Sequence, residues 1–359
     1  MIKRYNKQIT SQRWLVNFIC SAIIILLFFA VFIFAFDPCF QYRVENRKYF
    51  FYERYVAPGL ISNYDYDTLV IGSSRAENFD MALFREKFEV KPLLIGIGGM
   101  GVKDLTKLME IAEDVQRAER YYVCIDYSMF LSDRQLVPEY LYHKDILSRW
   151  KYATSYEAWF RFIPADICGS IMHVLDIGMP KIMEDKMEID RYSNWNDYTD
   201  SGEKEVISTY VPNKKVLSEF EKEDTLDSMQ TEIDAFIDSL NLSRGEYIFF
   251  FPPYSCLWWC DVENTGHAEV YYEAKKYFIK RVADKGTIYD FQHAALTLDL
   301  NNYCDSGHYD QNINDWMIEQ FSNNQYKVTT ENINEKLSLM KKNTSEFRKE
   351  YLWLWQDTK

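Results

Sequence analysis

The sequence predicts an α/β protein: a doubly wound parallel sheet in three layers, with one apolar helix at its N-terminus. Three observations carry this expectation. Five short strand-like runs recur along the chain, amphipathic helical stretches alternate with them, and one long uncharged stretch precedes them all. Of 359 residues, 47% are hydrophobic and 26% charged, which excludes disordered, collagen-like and small disulfide-scaffold classes. Lys and Arg number 41 against 54 Asp and Glu, a formal charge of −13. That balance argues against a general electrostatic grip on nucleic acid. The mean hydropathy of −0.34 conceals the apolar stretch by averaging over the whole chain.

That stretch runs from Trp14 to Phe36, WLVNFICSAIIILLFFAVFIFAF. At 1.5 Å per residue it makes roughly 34 Å of helix, enough to cross a bilayer core. Ala22 to Phe36 is apolar on every face, which fits a membrane helix better than a buried core helix. A cleaved signal peptide is the competing reading, but the run is long and no clear A-x-A site follows it. Residues 1–13 form a basic flank, with Lys3, Arg4, Lys7 and Arg13 and no acid. By the positive-inside rule the N-terminus is cytoplasmic, and the rest of this single-pass chain lies outside. Without residues 1–36, which carry those four basic residues and no acidic one, the formal charge moves from −13 to −17. Six of the seven cysteines would then lie where disulfides are permitted. Cys256 and Cys260 offer a pair or, with His267, a ligand set, although a lone C-x3-C is more often two unlinked thiols.

Residues 37–64 read as a tether and 65–325 as the α/β domain. The strand-like runs are 67–72 (DTLVIG), 92–97 (PLLIGI), 121–126 (YYVCID), 247–251 (YIFFF) and 287–291 (TIYDF). The first four are short and apolar, bounded by Gly, Pro or Asp, as buried parallel strands are; the fifth is more polar and suits an edge. Residues 78–88 and 102–118 show helical periodicity, with Phe79, Leu83, Phe84 and Phe88, and then Leu105, Leu108, Met109 and Ala112, each on one face. Weaker versions span 216–240 and 268–284. Residues 127–215, with Trp150, Trp159 and Trp195, read as an aromatic-rich insertion that caps the site edge. Residues 326–359 read as a docked helical tail ending in Leu352–Trp355.

The sharpest chemical signal is Gly72-Ser73-Ser74-Arg75, between the first strand and the first helix. A serine at such a junction is placed to act as a nucleophile, with backbone N–H groups nearby for an oxyanion; ordinary turn and N-cap chemistry produces the same tetrapeptide. A serine nucleophile needs a base, and the five histidines are His143, His173, His267, His293 and His308. Two stand in D-x-x-H: Asp290–His293 at the end of the fifth strand, and Asp305–His308 in a loop before a helical run from about 312 to 321. Ser306-Gly307 lets the second loop turn sharply, so that Asp305 can hold one ring nitrogen while the other faces the serine. Asp290 and His293 read more simply as a strand-end acid and a satisfied or exposed histidine.

These blocks resemble the SGNH/GDSL hydrolases, which place a serine after the first strand and an Asp and His in a C-terminal D-x-x-H. The N-terminal span, GSSR, GIGGMGVKDL, FFPPYS and DSGHY are similar to the membrane-anchored DltD-like and AlgX/AlgJ-like branch of cell-envelope polysaccharide and teichoic-acid acylation. The resemblance covers about residues 65–325 and implies a flavodoxin-like strand order. It implies Ser74 as nucleophile, His308 as base and Asp305 as its orienting acid, with Ser74 and Gly99 as backbone oxyanion donors. The Asn that often precedes that glycine is missing, and Asp126-Tyr127-Ser128 stands where the family has G-x-N-D. Arg75, Tyr254 and Tyr309 are the candidate substrate-binding residues, and aromatic surface at Trp258 and Trp259 suits sugar stacking. The GIGGMG stretch is a poor dinucleotide loop, because its G-x-G-x-x-G order does not stand after the first strand and the expected acid on the second is missing.

The expected function is a serine acyl esterase or O-acyltransferase acting outside the membrane on cell-envelope or exopolysaccharide acyl groups. The alternative is a catalytically degenerate glycan-binding or scaffolding subunit. The resemblance implies a glycan or acyl-carrier substrate and a membrane-bound O-acyltransferase as partner; neither cofactor nor metal is expected.

Overall fold

The computed structural model describes residues 2–44, 53–174 and 200–355. Five strands, β1 (Thr68–Gly72), β2 (Pro92–Gly96), β3 (Arg120–Cys124), β4 (Glu246–Phe251) and β5 (Thr287–Asp290), form one parallel sheet in the order β2-β1-β3-β4-β5. Every pairing is parallel and in simple register, for example Gly72 beside Gly96 and Val123 beside Phe249. The 2-1-3-4-5 order is the flavodoxin-like one. Its direction reverses between β1 and β3, so their carboxyl ends flank the crevice where such sheets place their sites. As its polar character suggested, β5 is an edge strand.

Strand side chains alternate between two apolar cores, as a period of two requires. Leu69, Ile71, Leu93, Ile95, Val123, Phe249 and Phe251 enter one. Val70, Leu94, Tyr122, Cys124, Ile248 and Phe250 enter the other. Helices Val102–Val115, Glu219–Ser239 and His267–Val282 cover the first face, and Met81–Phe88, Cys256–Asn264 and Gln311–Ser322 cover the second. Local signals set their starts. Asp80 accepts from the Ala82 and Leu83 N–H groups, and Ser218 with Glu221 closes a capping box. The fold is thus the three-layer α/β arrangement expected from strand–helix alternation.

The expected tether is instead packed structure over much of its length. After the N-terminal helix Ile2–Phe36, the Asp37 carboxylate accepts from the N–H groups of Gln41, Tyr42 and Arg43 and from the Tyr152 hydroxyl. Helix Glu53–Asn63 then buries Val56 to Ser62, and Gly59 admits the Cys39–Phe40 backbone where a Cβ would clash. Apolar burial of this helix outweighs chain freedom, which the sequence pattern of 37–64 did not reveal. Residues 45–52 lie outside the described residues.

The insertion divides rather than forming one cap. Helices Glu139–Tyr142, Ile146–Ala153 and Ile163–Val174, with a π-turn at Ala158–Phe162, pack toward the end of the N-terminal helix, where Trp159 stacks on Phe32. Among the described residues of the insertion, helix Glu203–Thr209 and the two residues after it line the cavity at the site edge. Trp195 and the rest of 175–199 lie outside the described residues. The tail helix Ile333–Glu350 and the turn Leu352–Trp355 dock as expected: Arg348 pairs with Glu263, and Trp355 donates to the Tyr210 hydroxyl.

Candidate functional site

Ser74 opens the 3₁₀ turn Ser74–Ala76 directly after β1. Gly72 is needed for close packing rather than for unusual backbone angles, since a Cβ there would lie 2.5 Å from the Cys124 Cβ and 2.9 Å from that of Ala76. Across the crevice, the loop after residue 303 delivers His308. The Ser74 Oγ and His308 Nε2 are 2.8 Å apart, and His308 Nδ1 lies 2.7 Å from Asp305 Oδ2. The other Asp305 oxygen accepts from the Gly307 and His308 N–H groups, both at 2.7 Å. Burial pushes the Asp305 carboxyl up, but the bonds to His308 and to these two amides prevail and hold it at about 2. A permanent carboxylate at Nδ1 leaves Nε2 as the acceptor toward Ser74, the tautomer a general base requires.

The second D-x-x-H is a different object. Asp290 forms a buried ion pair with Lys275 at 2.8 Å, both side chains almost wholly excluded from solvent. His293 is buried against the Tyr326 ring, and burial pulls its pKa down. Of the other histidines, His143 pairs with Glu139 on the surface and His267 faces Thr265; the His173 side chain is outside the described residues.

Two turns at the carboxyl ends of β1 and β2 present unengaged amides. Residues 97–100 close a turn through Met100 N–H to the Ile97 carbonyl, with Gly99 at φ +72°, the left-handed value that type II turns demand at this position. No described hydrogen bond engages the N–H of Gly99 or of Ser74. Gly72 and Gly96 are register partners, so the two turns leave adjacent strands at the same level.

Beneath the serine lies a hub that the sequence reading left unassigned. Asp126, at the end of β3, accepts from the Ser73 hydroxyl (3.1 Å), the Tyr254 hydroxyl (2.6 Å) and both the N–H and hydroxyl of Ser128, and it pairs with Arg75. Burial alone would raise the Asp126 pKa, but Arg75 first, then Tyr254 and Ser128, drive it down; the buried Arg75 is correspondingly held charged. Arg75 Nε also donates to the Gly307 carbonyl at 3.2 Å, tying the serine turn to the histidine loop. Ser255 Oγ, after β4, also holds the histidine loop by donating to the Ser306 carbonyl. The sequence signal was an acid at the end of a central buried strand, where a charge must find a partner.

The substrate-binding expectations therefore change. Tyr254 and Tyr309 are buried, and their hydroxyls serve Asp126 and the Arg75 carbonyl, so neither faces a ligand. Arg75 borders the cavity, but its guanidinium is committed to Asp126 and Gly307. Trp259 is fully buried, whereas Trp258 lines a cavity of about 390 Å³ with Val206, Thr209, Tyr210, Val211 and residues 305–308. Of these wall residues, Val206, Thr209, Tyr210 and Val211 come from the insertion, and no motif marked them. Cys256 and Cys260 are unlinked thiols, their sulfurs directed to Thr297 and to the Thr344 carbonyl. No protein-family profile matches the chain, and no curated protein is similar to it in sequence.

Proposed function

We propose that the protein is a membrane-anchored serine acyl esterase or O-acyltransferase of the SGNH/GDSL type, working outside the membrane. The observation that carries this reading is the linked set Ser74 Oγ–His308 Nε2–Asp305, with the two contacts at 2.8 and 2.7 Å. His308 Nε2 takes the Ser74 proton as Oγ attacks the ester carbonyl, and the amides of Ser74 and Gly99 receive the oxyanion. Collapse of the tetrahedral species expels the alcohol, which takes the proton back from His308. The acyl–Ser74 ester is then resolved by water, or by a sugar hydroxyl in a transferase, through the same histidine. Asp305 orients the ring and stabilises its protonated form, while Arg75 and Asp126 position the two loops.

The helix Ile2–Phe36 contains a stretch, Ser11–Phe36, long and apolar enough to span a membrane. Its basic flank orients it with the N-terminus in the cytoplasm. The DltD-like and AlgX/AlgJ-like resemblance supports acyl groups of cell-envelope or exopolysaccharide glycans as substrates, and a membrane-bound O-acyltransferase as partner. The part beyond the span, at −17, does not favour holding an anionic polymer by bulk charge, so recognition falls to the local cavity beside Trp258.

A fluorophosphonate probe on the full-length protein in detergent tests the chemistry. The wild type is expected to label and Ser74→Ala to be silent; an unlabelled wild type, or a Ser74→Ala variant that still labels, overturns the reading. The second reading, a scaffolding subunit, rests on Asp126-Tyr127-Ser128 standing where the family has G-x-N-D, which leaves one oxyanion donor of the family's set unaccounted for. That reading predicts glycan retention, and normal cellular function, in both Ser74→Ala and His308→Ala.

A further inference from the structure

The insertion's first half carries an apolar surface that the catalytic reading does not use. Among the described residues outside the N-terminal helix, six of the thirteen strongly exposed large hydrophobic side chains fall within residues 146–171: Ile146, Leu147, Tyr156, Phe160, Ile167 and Ile171. Phe160 and Tyr156 are 69% and 65% exposed, values at which an aromatic ring in water is an open liability.

What covers this surface follows from its neighbour. Trp159, adjacent to Phe160, packs against Phe28, Phe29 and Phe32 with ring centroids 6.2, 4.7 and 4.9 Å away. Those phenylalanines belong to the apolar stretch that ends at Phe36. At 1.5 Å per residue, Phe32 and Phe28 lie about 6 and about 12 Å inside that end. Trp159 therefore sits at a depth where a spanning helix is surrounded by acyl chains, next to the exposed Phe160, whose ring lies 5.1 Å from that of Tyr156. Two basic groups, Arg43 and Arg149, stand at the end of the span, while Arg161, two residues from Trp159, is exposed on the segment itself. Arg43 donates to the Phe34 and Ala35 carbonyls, and the Arg149 guanidinium lies over the Tyr42 ring, which itself packs on Phe34. Cations at the end of the span with aromatic rings below it reproduce the layering of a lipid headgroup zone over hydrocarbon.

We propose that residues 156–171 form a second, non-spanning membrane element. It inserts beside the anchor helix into the leaflet facing the α/β domain and holds that domain at a fixed orientation to the lipid surface. The occupant of the apolar face is thus lipid acyl chain, rather than a second copy or another membrane protein. This rests on the reading of Ser11–Phe36 as a membrane span. A lone flexible anchor would let the active site sample all orientations, whereas two apposed elements restrict it to substrates near the surface.

The test uses full-length protein, one copy per lipid nanodisc, with Cys20 and Cys168 replaced by serine and an environment-sensitive fluorophore on Phe160→Cys or Ile171→Cys. Leu339→Cys, on the tail helix, and Ile24→Cys, mid-span, serve as references. Probes at 160 and 171 are expected to be blue-shifted and quenched by brominated acyl chains, about as much as the probe at 24, while 339 responds only to aqueous iodide. Probes at 160 and 171 that follow 339, with 24 quenched by lipid, overturn the inference and leave the span intact. Failure of the probe at 24 overturns the span itself. Shielding that appears only with two copies per disc would assign the surface to self-association and equally overturn the lipid assignment.

Discussion

Two four-residue segments with the same D-x-x-H spacing, 290–293 and 305–308, end in opposite roles. In the first, the acid faces inward at the end of β5 and is consumed by Lys275, and the histidine backs into an aromatic pocket. In the second, the acid is half-exposed in a loop, keeps one oxygen for its own backbone and gives the other to the ring, whose far nitrogen meets a serine 234 residues away in sequence. Spacing alone sets only that Asp and His can meet. What stands opposite the ring, and whether water reaches it, decides between a buried strut and a histidine placed as a general base would be under the proposed function.

The comparison breaks most sharply on chemistry. His308→Gln is expected to lose phosphonate labelling by about 10³-fold or more, whereas His293→Gln, once folded, labels at the wild-type rate. Equal loss in both variants would mean that the two motifs do not divide function as their surroundings imply. A reversed effect follows on stability. Asp290→Ala leaves Lys275 buried without its partner and is expected to cost about 3–5 kcal/mol in urea unfolding, against about 0–1 kcal/mol for the half-exposed pair lost in Asp305→Ala. Similar costs at the two sites would contradict the difference in burial.

The smallest effect is the pH dependence. Burial lowers the folded-state pKa of His293 below its ordinary 6.5, so the unfolded chain binds the extra proton, and stability falls as pH drops below about 6.5. Asp305 has a folded pKa of about 2 against 3.8; its contribution is present above 3.8 and lost as pH falls through about 2. His293→Gln should therefore flatten the stability profile below pH 6.5, and Asp305→Asn should leave that window unchanged. A steeper acid decline in His293→Gln would reverse the assigned sign.

The strands were legible because each is short, apolar and bounded by residues that end it: β1 starts at Thr68 and closes at Gly72, within the expected 67–72. The tail helix, Ile333–Glu350, carries its own periodicity and was equally visible. The helix Glu53–Asn63 was not, since its stability comes from packing against the body and not from a pattern within its 11 residues. At the site, types and spacing singled out Ser74, Asp305 and His308, whose side chains lie in contact. Tyr254 and Tyr309, expected to bind substrate, are buried with their hydroxyls on Asp126 and the Arg75 carbonyl, and a tyrosine beside a motif looks the same whether its hydroxyl serves a ligand or a buried acceptor.

By itself the sequence determined the alternation that builds the sheet, the apolar stretch that can span a bilayer, and the residue types able to form a triad. These depend on interactions within a few turns of chain. The tertiary structure decided which D-x-x-H meets the serine, that Asp126 and Arg75 brace both loops, and that the insertion turns its first half toward the N-terminal helix and, among its described residues, those near 206–211 toward the cavity. Each of these joins residues tens to hundreds of positions apart. Hydrophobic patterning says that such surfaces will be buried; the geometry of the folded chain says against what.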